Sequence, residues 1–240
     1  MRTGIYASFA EITMLSLVMI LGCGKASAIR RGEAAYNNGD WNLAINYYTE
    51  AIRLDPKDAE VYHNRGMAYS LMNDNDKAIA DYSEAIRLNP EYGWAYLSRS
   101  YAHKHKEDYD KAIADCTEAV RLQPNEPHAY RERAEVHALK HNNDKAIADY
   151  TEAIRLDPAY QWTYCHRAEV YILEGEFDKA ITDCTEAIRL APKNALAHTL
   201  RGGAYEGIGE KAKAMLEFAE ARKLDLQREE RGAAKSTPTD

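Results

Sequence analysis

Residues 46–56 read NYYTEAIRLDP, and the phrase returns as DYSEAIRLNP at 81–90, DCTEAVRLQP at 115–124, DYTEAIRLDP at 149–158 and DCTEAIRLAP at 183–192. Each copy closes on a proline (Pro56, Pro90, Pro124, Pro158, Pro192) at an interval of 34 residues. Self-similarity at a fixed period of this size marks one supersecondary unit stacked along an axis, since a lone unit cannot bury its apolar face. With the proline at position 32, the repeats are 25–58, 59–92, 93–126, 127–160, 161–194 and 195–228. In the second half of each, positions 20, 21, 24, 27 and 28 are small or apolar, as in Ala44, Ile45, Tyr48, Ala51 and Ile52. That is helical spacing, not strand alternation. Asp76, Asp110, Asp144 and Asp178, with Asn42 in the first repeat, stand at position 18, where their oxygens are expected to cap the free amides of the first turn. Glu at position 26 and Arg at position 29, as in Glu50 with Arg53 and Glu152 with Arg155, lie three apart on a solvated face and read as surface, not as a site.

The first half of each repeat has a small residue at position 8 (Gly32, Gly66, Ser100, Ala134, Ala168, Gly202) and a ring at position 11 in most copies (Tyr69, His103, His137, Tyr171, Tyr205). A small residue lets two helices approach closely, so the unit reads as helix, turn, helix. Small at 8, Tyr at 11, Ala at 20, aromatic at 24, Ala at 27 and Pro at 32 together resemble the tetratricopeptide repeat. The resemblance covers Lys25 to about Arg228 and implies an all-α chain, a right-handed α-solenoid of about six repeats. It departs at Ala35, where the tyrosine is displaced to Tyr36, and at Leu226, where the sixth repeat lacks its proline. Arg222 replaces the Ile or Val of position 28, as a terminal repeat with no neighbour requires. The polar stretch after it, 229–240, is expected to be a disordered tail.

Apolar residues make up 45% of the chain and charged ones 29%, which suits a folded domain; the net charge of −7 and pI of about 5.7 leave no basic stripe for nucleic acid. The amino terminus differs in kind. Ile12 to Leu21 is an apolar run preceded by Arg2 and followed by small residues, the arrangement of a signal peptide, and too short for a spanning helix. Ile20-Leu21-Gly22-Cys23 resembles a bacterial lipobox, with 1–24 as leader, whereas Ala26-Ser27-Ala28 resembles an ordinary cleavage site. The lipobox is favoured because Cys23 directly follows the apolar run. The resemblance, to envelope lipoproteins built from these repeats, implies acylation of Cys23 and thereby a membrane as partner, and an exported, periplasm-facing protein of the bacterial envelope. A cytoplasm-facing adaptor tethered by an uncleaved leader is the alternative.

Cys116 and Cys184 share position 24 two repeats apart and cannot bridge each other; Cys165 and Cys184 share one helix pair, where a disulfide is conceivable. His137 and His141 are four apart and His103 matches His137, but both stand where other repeats have a packed tyrosine, so no metal site is expected. No nucleophile system, cofactor motif or small-molecule site is discernible, and the repeats consume the length, so the chain reads as a non-enzymatic scaffold that binds other proteins. In this family the concave groove is lined by positions 2, 5, 6, 9, 12 and 13. Those positions give His63, Asn64 and Met67; Trp94, Leu97, Ser98 and Tyr101; His128, Arg131, Glu132 and Glu135; and Trp162, Cys165, His166 and Glu169. The basic clamp that some relatives use for a chaperone tail is absent, since Trp94 and Ser98 occupy two of its positions. Trp94 and Trp162 are the expected anchors for a peptide or a partner helix.

Overall fold

The computed structural model describes residues 22–236, with side chains to Glu230. Among these residues are twelve helices and no strand: α1 (22–37), α2 (Trp41–Leu54), α3 (Ala59–Leu71), α4 (Asn75–Leu88), α5 (Gly93–His105), α6 (Tyr109–Leu122), α7 (Pro127–Leu139), α8 (Asn143–Leu156), α9 (Gln161–Leu173), α10 (Phe177–Leu190), α11 (Ala195–Gly207) and α12 (Lys211–Ser236). From α3 on, the odd-numbered helices begin 34 residues apart. The chain divides into two compact units, Met1–Leu122 and Gln123–Asp240, each holding three helical hairpins. Inside a unit, the second helix of one hairpin packs against the first helix of the next, as α4 does on α5 and α10 on α11.

Each boundary has a local cause. The residue before a proline is pushed out of helical geometry, and Asp55, Asn89, Asp157 and Ala191 all end their helices in non-helical conformations, with φ of −144°, −136°, −137° and −138°. The turn inside each hairpin is left-handed at position 15: Gly39, Asn73, Glu107, His141, Gly175 and Gly209 all have φ between 57° and 82°. The next amide then reaches back five residues, as Asp74 N does to Tyr69 O at 3.0 Å and Glu176 N to Tyr171 O at 2.8 Å, which closes a Schellman turn. The caps lie at position 16, not 18. Asp40 and Asp74 accept from the amides of Leu43 and Lys77, whereas Asp76, Asp144 and Asp178 fall inside the first turn, where they face the positive end of the helix dipole.

The core is made of alanine. Ala44, Ala51, Ala78, Ala85, Ala146, Ala153, Ala180 and Ala187 are fully buried, and in three hairpins a glycine makes room for a facing ring. Gly32, Gly66 and Gly202 lie so close to the rings of Tyr48, Tyr82 and Phe218 that an added Cβ would come within 2.6 to 2.7 Å. Ser100 and Ala168 instead belong to repeats with a cysteine, Cys116 or Cys184, in place of the ring.

A second periodic element lies between the helices. At position 7 the guanidinium of Arg65 grips the carboxylate of Asp81 with two bonds of 2.8 Å, and its third nitrogen donates to Thr49 Oγ1, in the preceding hairpin, at 3.0 Å. Arg99 does the same with Asp115 and Ser83, and Arg167 with Asp183 and Thr151. Arg133 holds Asp149 in the same fork, and Arg201 holds Glu217 and Thr185. These carboxylates are nearly buried, with side-chain exposures of 8% for Asp81 and 6% for Asp183. The Glu–Arg pairs at positions 26 and 29 are on the surface, as expected: Arg87, Arg121, Arg155 and Arg189 bond their glutamates at 2.6 Å while 63 to 66% exposed.

One boundary differs from expectation. Without a proline at Leu226, and with Gln, Arg, Glu and Ala following, α12 runs on to Ser236, so the segment from Glu229 is helical through Ser236 and not a disordered tail.

Two outcomes follow from this geometry. Asp81→Ala strands the Arg65 guanidinium in a half-buried site and should lower unfolding stability by roughly 3 kcal/mol, read as a shift in the urea midpoint. Glu107→Gly relieves a non-glycine left-handed turn and should raise stability by about 1 kcal/mol in the same assay.

Candidate functional site

In the first unit the expected face comes from α3 and α5. Trp94, Leu97, Ser98 and Tyr101 lie on one side of α5. Leu97 is buried and forms the floor, while Trp94 and Tyr101 stand out at 41% and 38% exposure. Asn64 and Met67 are half-buried beside them on α3. His63 is buried rather than presented: Nε2 shares a hydrogen bond of 2.9 Å with Ser98 Oγ and Nδ1 one of 3.3 Å with Tyr92 Oη, and the ring is tilted against Tyr82 and Tyr92. Burial pushes its pKa down to about 4, so it is a neutral strut joining α3 to α5.

In the second unit α7 and α9 carry the corresponding residues. His128 and Glu135 are exposed, whereas Glu132 is buried. Arg131 is stacked over the Tyr160 ring at 4.4 Å with Nη1 3.5 Å from Asp157 Oδ2, so its charge is spent within the protein. His166 stacks on Tyr150 and has Nδ1 4.0 Å from Glu169 Oε2; hydrogen bonding to His166 holds the Glu169 carboxyl below its usual range.

Trp162, at 38% exposure, opens onto a cavity of about 910 Å³. Its walls are the start of α9, the turn bearing Pro192, the start of α11 with Leu196, and Leu224, Asp225 and Arg228 of α12. The lining is mixed: Trp162, Pro192, Leu196 and Leu224 stand with Gln161, Lys193, Asn194, Thr199, Asp225, Gln227 and Arg228. Leu196 and the α12 wall were not among the residues expected from the sequence. The missing proline was the signal: only because the helix continues past Leu226 do Gln227 and Arg228 reach the cavity.

Cys165 and Cys184 are free buried thiols. Burial raises them to about 11 and about 12, so both stay protonated at neutral pH, and Cys165 Sγ accepts from Asn194 Nδ2 at 3.6 Å. His103 and His137 are buried at position 11 beside Asp115 and Asp149 of the arginine joints. The described residues contain no group of three or more metal-ligating side chains. Cys23 is exposed on α1. The run Ile12 to Leu21 lies outside the described residues, and no described helix is long and apolar enough to cross a membrane.

Models of the tetratricopeptide repeat match residues 59–92, 162–194 and 106–161, and a further TPR repeat model matches 32–73. Hsp70-Hsp90 organizing protein 2 of Arabidopsis thaliana is 38% identical over 47 residues, which are 20% of this chain and 8% of that protein. The solved structure of Pseudomonas aeruginosa pilF superposes with a TM-score of 0.74 at 15% identity, covering 89% of this chain and 99% of its own. YrrB, described as a TPR protein with an unusual peptide-binding site, superposes at 0.64 with 21% identity over 79% of this chain and 98% of its own.

The buried His63 makes stability pH-dependent. Its folded pKa of about 4 lies below the ordinary 6.5, so between those values the unfolded chain binds the extra proton and stability falls on acidification. Going from pH 7 to pH 5 should remove roughly 2 kcal/mol through this group, and a folded His63→Gln protein should show a correspondingly smaller loss in parallel urea titrations.

Proposed function

This chain belongs to the tetratricopeptide repeat family, and we propose that it binds an extended peptide or a partner helix of another protein, with Trp162 as anchor and no catalysis. The observation that carries this reading is the exposed indole of Trp162 in the lining of the 910 Å³ cavity. A large aromatic is costly to leave in water and is the usual centre of a protein interface. In the first unit Trp94 and Tyr101 offer a second aromatic surface over the buried Leu97. The name of YrrB's site and the organizing role in the name of the Arabidopsis relative are in keeping with a binding role.

The protein is further proposed to be exported and held on a membrane through acylated Cys23, facing the periplasm. Two features favour processing before Cys23 over cleavage after Ala28. Lys25 Nζ is paired with Asp55 at 2.7 Å and Asp58 at 2.6 Å, and Ala28 is a buried part of the first core cluster. Cleavage after Ala28 would remove all of these, whereas cleavage before Cys23 leaves them in place.

Capture of partners from bacterial envelope extracts should fall about tenfold or more for folded Trp162→Ala; unchanged capture would refute the anchor. Intact mass of the membrane fraction should begin at Cys23 with added acyl chains that Cys23→Ala abolishes. A chain beginning at Met1 or at Ile29 would overturn the anchoring.

A further inference from the structure

The last hairpin has a face built like an interior one, and no hairpin follows to cover it among the described residues. At position 21, Ile147 and Ile181 of α8 and α10 are half-buried, and Ile181 packs in a cluster with Ala204 and Leu200 of the following α11. Met215, in the same position of α12, is 72% exposed, with Leu216 at 71% and Leu226 at 53%. Met215, Ala219, Arg222 and Leu226 fall at intervals of four, three and four, so they form one seam along α12.

We propose that this seam pairs antiparallel with α12 of a second copy of the chain, about a two-fold axis near Glu220 and Ala221. A two-fold interface must be complementary to itself read backwards, and this helix is. Centred on that axis, Met215 of one copy meets Leu226 of the other, and small Ala219 meets Arg222, whose stem it leaves room for. At both ends, exposed Lys211 meets exposed Glu230. A head-to-tail stack lacks this match, because the exposed residues of α1 include Arg30, Glu33 and Asn37, and those would lie on Met215 and Leu216.

The test is sedimentation equilibrium of the full chain over a concentration series. The wild type should reach the mass of a dimer, and Met215→Glu with Leu226→Glu should return it to monomer. Lys211→Glu should weaken the dimer about fivefold, and adding Glu230→Lys should restore it. Zero-length cross-linking of a mixture of isotopically labelled and unlabelled chains should give a mixed Lys211–Glu230 link. Nineteen residues of helix keep these side chains about 28 Å apart within one copy, so the link can form only between copies. Monomer at every concentration, a dimer indifferent to both substitutions, or a link from α12 to the chain's own residues 1–21 would each overturn the proposal.

Discussion

The structure depends on a guanidinium that belongs to three helices at once. A core of alanines lets helices approach closely but offers little area per contact and little shape to fix how far one helix has slid along another. The arginine at position 7 supplies that constraint. Its fork on Asp81, Asp115, Asp149 or Asp183 sets the two helices of a hairpin, and its remaining nitrogen reaches a Ser or Thr of the preceding hairpin, as at Arg65, Arg99 and Arg167. A bidentate pair is directional where dispersion is not. Because the carboxylates are nearly buried, the joint contributes register and spacing more surely than net stability; in such pairs desolvation offsets much of the attraction.

Once the joints fix the hairpins, the residues at positions 2 and 9 vary from repeat to repeat. Position 9 is Met67, Tyr101, Glu135 and Glu169 in successive repeats, and position 2 is Glu60, Trp94, His128, Trp162 and Leu196. Positions 20 and 27 hardly vary over the same span. The contrast separates scaffold from surface: where the repeats vary, Trp94, Trp162, Glu135 and Glu169 are exposed.

The hairpins were legible in the sequence because apolar period and proline both repeat every 34 residues, and the helices begin where that period places them. What escaped was periodic too, but in residues that an apolar pattern ignores. Position 15 is Gly, Asn, Glu, His, Gly and Gly, too mixed to suggest a left-handed turn, although the backbone there is the same each time. The arginine joint pairs residues 16 apart, a spacing with no meaning on a single helix, so only the folded hairpin reveals it. The candidate face was read by position, which picked out the exposed Trp162 but could not tell that His63, Leu97 and Glu132 are buried. Leu226 was recognised as a missing proline; that it lengthens α12 into the wall of a cavity needs three dimensions.

The two ends of the repeats are finished differently. At the first, Arg31 has Tyr47 where later repeats have an acid, and its guanidinium donates to Tyr47 Oη at 2.6 Å and is stacked 4.3 Å from that ring. The exposed residues of α1 include Arg30, Arg31, Glu33 and Asn37. At the last, Arg222 makes position 28 polar, but position 21 lies about two turns earlier on the same face, roughly 10 Å along the axis, and there Met215 keeps its interior character. A single charge cannot cover both turns. The terminal helix is thus polar over one half of its outer face, at Arg222, and keeps an interior-like residue over the other, at Met215.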